Sequence, residues 1–155
     1  MSQNFENIKT QAVQEFSKWK QSYLKCPALP KEIKFTSKAF SHIIYKDDTH
    51  IRPQEQQEVR FLCFKSVKYI LEKSHFFQEY MAEVVTVNVK KNGKEAKEKR
   101  LAQFYGFVAV VENNGKKHRI RVVVRNVEGF MYAEYWSVMP AWKMKGYKTF
   151  MGSLS

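Results

Sequence analysis

Apolar residues recur at helical spacing in the first half of the chain and at alternate positions in the second. Between about Phe5 and Leu24, the positions Phe5, Ile8, Ala12, Val13, Phe16, Trp19 and Tyr23 predict an amphipathic helix. The segment Cys26-Pro27-Ala28-Leu29-Pro30 ends it, because proline lacks an N–H and turns its predecessor away from helical geometry. Thr36 or Ser37 caps a short second helix running through Ile44, with Ala39, Phe40, Ile43 and Ile44 as its apolar positions. Tyr45 to Arg52 reads as a polar loop. Pro53 suits the first turn of a third helix that reaches about Lys73, carrying Val59, Leu62, Cys63, Val67, Ile70 and Leu71 on one stripe.

The period then changes to two. Val85, Val87 and Val89 alternate with Thr86 and Asn88 in a first strand. Lys90 to Arg100, which contains Asn92-Gly93, reads as a charged loop, a solvated segment or an electrostatic steering arm. Ala102 to Glu112 is a second strand, and Asn113-Asn114-Gly115-Lys116 is a hairpin turn. His118 to Arg125 is a third strand, Glu128-Gly129 another turn, and Met131 to Met139 a fourth strand ended by Pro140. The expected fold is α+β: three N-terminal helices followed by a four-stranded antiparallel sheet. One domain spans 1–155, with a helical part at 1–75, a sheet part at 77–142 and a basic tail, expected to fray, at 143–155.

The third strand carries the most informative pattern. Ile120, Val122 and Val124 point to one face, and Arg119, Arg121 and Arg125 to the other. Loops of even length place the arginines with Tyr132, Glu134 and Trp136. A three-residue loop at Glu128 would instead bring Met131, Tyr135 and Ser137 to that face.

Charge sharpens this picture. Lys and Arg number 27 against 15 Asp and Glu, a formal net charge of +12. The excess favours an acidic partner, nucleic acid first and an acidic protein second, over an anionic membrane. The two cysteines, Cys26 and Cys63, form no disulfide framework and no zinc spacing. The polar start Met1 to Asn7 lacks the apolar stretch of a signal peptide, and no run is long enough to span a bilayer. A cytoplasmic protein with no cofactor and no bound metal is the resulting expectation.

Several groups are candidates for chemistry. The guanidinium row binds phosphate through paired donors at any working pH, and Tyr132 and Trp136 are placed to stack on unpaired bases. The alternative is a solvated sheet face. His42 can act as acid or base near neutrality, or be a partly buried helix histidine bonded to a carbonyl. His50 and Arg52 stand at a helix entry that suits an anion, or serve ordinary helix-entry chemistry. Glu134 is a general base or a cross-strand salt bridge. Ser137 bonds a phosphate oxygen or orients a catalytic group.

The segments Phe35 to Ile43 and His50-Ile51-Arg52-Pro53-Gln54, with the strands Arg119 to Arg125 and Met131 to Ser137, resemble the barnase–EndoU–colicin–RelE-like ribonuclease superfamily. Within it they resemble the barnase-like domains of phages and mobile elements, over roughly residues 33–142. The late-sheet histidine of barnase has no counterpart, since Ser137 or Trp136 occupies that region. The resemblance implies helices before a four-stranded sheet and metal-independent RNA cleavage by 2′-OH attack. His42 or Glu134 would be the base and His50 or His42 the acid. Arg52, Arg119 and Arg121 would stabilise the phosphorane, with Arg125 in the same phosphate clamp. A toxin of this kind implies an acidic antitoxin or immunity protein as partner. Two other readings stand beside it: a non-catalytic nucleic-acid-binding module, and a basic interaction protein of a phage or mobile element.

Overall fold

The structure, a computed structural model, describes residues 3–113 and 115–141. The expected tail at 143–155 and Asn114 of the expected turn lie outside the described residues. Helix α1 (Gln3–Trp19) buries Phe5, Ala12, Phe16 and Trp19. It stops five residues short of the expected end, and Val13 and Tyr23 are exposed. Leu24 then bridges to Ile33 of β1 (Ile33–Lys34). Thr36 caps α2 (Ser37–Phe40), its hydroxyl accepting from Ala39 N–H at 3.2 Å, and a 3₁₀ turn (Ser41–Ile43) follows. The expected loop at 45–52 is a small hairpin, β2 (Tyr45–Asp47) and β3 (His50–Ile51). The expected third helix is two, α3 (Gln54–Phe64) and α4 (Val67–Lys73), broken at Lys65-Ser66. The break lets Phe64, Val67 and Leu71 all reach the core, where each is fully buried, while Leu62 is left exposed.

The sheet also departs from expectation. Strands β4 (Glu79–Lys91), β5 (Lys94–Asn113), β6 (Lys116–Val127) and β7 (Ala133–Pro140) are antiparallel, and β1 joins parallel to β7. The order is β1-β7-β6-β5-β4. The fold among the described residues is therefore α+β with four α-helices, a five-stranded mixed sheet and a two-stranded sheet. Three N-terminal helices before a four-stranded antiparallel sheet is corrected, because short strands pair wherever a chain segment passes an open sheet edge or folds on itself.

Helices cover one face of the sheet. Phe64 lies among Phe16, Trp19, Phe40 and Tyr135, with ring centroids 4.8 to 6.5 Å away. Phe107, Ile120, Val122 and Val124 complete this core from below. The other face carries a smaller cluster of Val87, Ala102, Phe104, Val123 and Val127, with no helix over it among the described residues.

The largest surprise is the length of β4 and β5. The expected charged loop Lys90 to Arg100 is strand, turning at Asn92 (φ 53°) and Gly93 (φ 77°). Positive φ at both central residues is the hairpin turn that matches strand twist. Since Ala102 pairs with Val127, β5 residues 94–101 have only β4 as partner and form a two-stranded ribbon beyond the end of β6. The ribbon's inner face rests on the β6–β7 loop. There the Arg100 guanidinium donates to Glu128 O at 3.1 Å and lies 5.9 Å from the Phe130 ring centre.

Candidate functional site

Two surfaces gather the polar chemistry of the chain. The first is a groove of about 420 Å³ on the helix-free face, lined by Met81, Phe104, Arg121, Arg125, Trp136 and Ser137 among others. Arg121 and Arg125 lie on this face, opposite Ile120, Val122 and Val124. Neither guanidinium is a free cation. Arg121 Nε and Nη2 donate to the two carboxylate oxygens of Glu79 at 2.6 and 3.0 Å, in a pair 4% and 2% exposed. Gly106 stands between Glu79 and Val123 in the register, so no side chain separates the pair. Arg125 Nη2 donates to Glu134 at 3.1 Å, and its guanidinium carbon sits 3.9 Å from the centre of the Trp136 ring. Arg125 Nε is buried with no hydrogen-bond partner among the described residues.

A β-bulge decides which residues of β7 reach this groove. Val124 pairs with Tyr135 and Val123 with Ser137, so Trp136 is the extra residue. Strict alternation would put Glu134 and Ser137 on opposite faces. The bulge brings both to the arginine side and leaves Tyr135 in the core. The expectation of one or the other is thus replaced by both, for a reason that loop length does not reveal.

The edge of β7 beyond β1 is capped by side chains rather than by a strand. His42 Nδ1 lies 2.8 Å from Trp136 O, its ring edge-on to Trp136 with centroids 4.7 Å apart. Arg60 donates to Val138 O at 3.0 Å, and Arg52 Nε to His42 O at 2.9 Å. Burial holds the His42 pKa below its ordinary value, against the carbonyl bond that raises it, and Lys38, Arg52 and Arg125 add to the lowering. Burial also pushes the Arg60 guanidinium down to about 10. Nothing in the sequence marks Arg60 as a site residue, since it is a lone arginine in the middle of a helix, between Val59 and Phe61.

The remaining expected site residues lie apart. His50 is exposed on the β2–β3 hairpin, with Nδ1 2.7 Å from Asp47. The resulting bond is the largest cause holding the Asp47 carboxyl below its usual range. Tyr132 stacks on Tyr23 at 4.0 Å, away from the groove. Arg119 is exposed, paired in register with exposed Val110. Arg121, Arg125, Trp136 and Ser137 therefore share one groove with Glu134 beneath Arg125. His42 touches it from the strand edge, Arg52 sits behind His42, and the other three do not enter it. Among the described residues no group of His, Cys, Asp and Glu is placed to hold a metal, and no helix is long and apolar enough to cross a membrane.

The second surface is the outer side of the ribbon, expected from the sequence as a charged loop, either solvated or an electrostatic steering arm, and found as strand. Residues 84–101 carry six Lys and Arg against two Glu. By alternation Lys97 and Lys99 share its outer face with Val84, Thr86, Asn88, Lys90, Glu95 and Leu101. Lys90, Lys97 and Lys99 are exposed and make no ion pair among the described residues. Towards the base of the ribbon the same face carries Tyr80 and Tyr105, paired in register, with Phe77 beside them. The available signal for strand was Asn92-Gly93 following the alternation of Val85, Val87 and Val89.

No curated protein and no solved structure matches the chain. The profile of the family described as large polyvalent protein-associated domain 3 matches residues 3–132. It carries the phage or mobile-element association expected from the sequence and gives no sign of the barnase-like ribonucleases. With the match running from the first helix to the turn before β7, the chain belongs to the large polyvalent protein-associated domain 3 family, a domain of phages and mobile elements.

Proposed function

We propose that this chain is a nucleic-acid-binding module of a phage or mobile-element protein, and that the lysines of the β4–β5 ribbon are its principal phosphate-binding groups. One observation supports this reading above the rest. The buried members of the arginine row are neutralised by Glu79 and Glu134, whereas exposed lysines such as Lys90, Lys97 and Lys99 have no carboxylate partner among the described residues. Cations already paired gain little by meeting a phosphate. Unpaired exposed lysines release counterions from nucleic acid on binding, which makes affinity strongly salt-dependent. Titration of labelled RNA and DNA with the protein from about 50 to 200 mM salt tests this. Affinity is expected to fall at least tenfold across that range, and absence of salt-dependent binding to either polymer overturns the reading.

A second reading, RNA cleavage, is favoured by the state of His42. A carbonyl only accepts, so Nδ1 bonded to Trp136 O carries the proton, and Nε2 holds a lone pair. The lowered pKa keeps this imidazole neutral, as a general base requires. Glu134 is the weaker candidate, because its Oε1 is already occupied by the Arg125 guanidinium in a buried ion pair. His42→Ala would then abolish cleavage while sparing affinity, and RNA lacking the 2′-OH would resist. An acidic neutralising protein would be the partner of such an activity. RNA left intact by stoichiometric protein removes this second reading and leaves the binding module in place.

A further inference from the structure

We infer that the polymer taken by this surface is single-stranded nucleic acid, its bases stacking on an aromatic ledge at the foot of the lysine ribbon. This rests on the nucleic-acid reading above and names its substrate class.

The ledge is built from Phe77, Tyr80 and Tyr105. Their ring centroids lie 4.8 to 6.2 Å apart, and Phe77 and Tyr80 are 41% and 37% exposed. Tyr105 packs against the helix-side core, while the exposure of Phe77 and Tyr80 leaves their part of the group open to solvent. The ledge is also rigid. Gln78 donates its N–H to Gly106 O at 2.9 Å and accepts from Val108 N–H at 2.8 Å, which pins the segment bearing Phe77 to β5. Gln103 Nε2 donates to the Tyr80 hydroxyl at 3.1 Å and fixes that ring.

Along the same face the register runs outward from Tyr80–Tyr105 through Ala82–Gln103 and Val84–Leu101 to Thr86–Lys99 and Asn88–Lys97. Six residues of strand separate the Tyr80 row from the Lys99 row, a span of about 20 Å. A strand of a few nucleotides laid on this track would find rings for its bases at one end and ammonium groups for its phosphates at the other. Aromatic faces accept any unpaired base, and duplex bases are not available to them. Glu95, opposite Lys90 at the far end, is the acid on this face, and it lies beyond the Lys97 and Lys99 rows. An uncharged protein partner would use the rings but leave these lysines without a counterpart, which is why the polyanion is preferred.

The test compares a labelled oligothymidylate with a hairpin duplex of equal charge at one salt concentration, using the whole chain. Single strand is expected to bind at least tenfold more tightly. Phe77→Ala and Tyr80→Ala should each weaken single-strand binding about tenfold and leave duplex binding nearly unchanged. Tyr80→Phe, which keeps the ring, should retain it. Photocrosslinking of bromouracil single strand to the unaltered protein gives a readout that does not depend on a variant folding, and adducts at Phe77, Tyr80 or Tyr105 are expected. Equal or tighter duplex binding, or adducts confined to other segments, overturns this inference while the nucleic-acid reading stands. Binding of neither polymer overturns both. Self-association abolished by Tyr80→Ala, with strand binding untouched, assigns the ledge to a second copy of the chain and overturns the inference as well.

Discussion

Charged side chains buried on an uncovered sheet face set the character of this protein at the scale of single residues. Glu79 and Arg121 are each almost wholly removed from water, yet no helix among the described residues lies over them. Removing one partner of such a pair leaves a buried charge unmatched, which costs about 3–5 kcal/mol. Arg121→Met, which strips Glu79 of its partner, is therefore expected to remove a large fraction of total stability in urea unfolding, and a loss under about 1 kcal/mol would contradict the pairing. Arg121 is conspicuous in the sequence because alternation isolates it between apolar residues. Glu79 is not, because it stands where helical spacing has ended and period two has not yet begun. His42 gives a pH signature of definite sign. Its folded pKa lies below the ordinary 6.5, so the unfolded chain takes up the proton first as pH falls. The stability tied to its neutral form is intact above that value and declines as pH drops below it towards the lowered folded value. His42→Gln should flatten the melting profile in that window, and parallel profiles for the two proteins would contradict the burial of a neutral imidazole.

Secondary elements show why some of the fold was legible and some was not. The helix at Phe5 and the strands around Phe107 and Val122 declare themselves because each buries one face and leaves the other polar. The ribbon hides because both its faces carry charge. Val85, Val87 and Val89 alternate on β4, but Ala96, Glu98 and Arg100 opposite them do not look like a buried row. Arg100 of this row rests on the β6–β7 loop, a partner that no local pattern announces. The Trp136 bulge is similarly silent, since it depends on how β7 meets β6 and on His42 at its edge. Gly129 is the hinge of the loop beneath the ribbon. It holds φ +88°, and a Cβ there would meet the Arg100 guanidinium. Gly129→Ala should cost about 1–2 kcal/mol from the backbone alone. Its melting temperature is predicted to fall by several degrees, and an unchanged value would mean that the loop does not support the ribbon in this way.

For the molecule as a whole, helices close one side of the sheet, paired charges occupy the other, and a lysine-bearing arm extends past both. The charge of +12 is legible in composition alone. Its location is not, because Arg121 and Arg125 of the sequence pattern are buried in ion pairs, and the lysines of the expected loop are displayed on strand. Membership of a phage and mobile-element domain family sets the chain in that context, and the holding of a nucleic acid on the ribbon is the proposal that goes beyond it. The salt dependence of binding isolates this claim. Replacing Lys90, Lys97 and Lys99 together with alanine should lower the slope of log affinity against log salt by about 2 to 3, since each phosphate that a lysine neutralises accounts for roughly 0.7 to 0.9. A slope unchanged by that triple substitution, with the fold intact, would show that the ribbon does not touch the polymer.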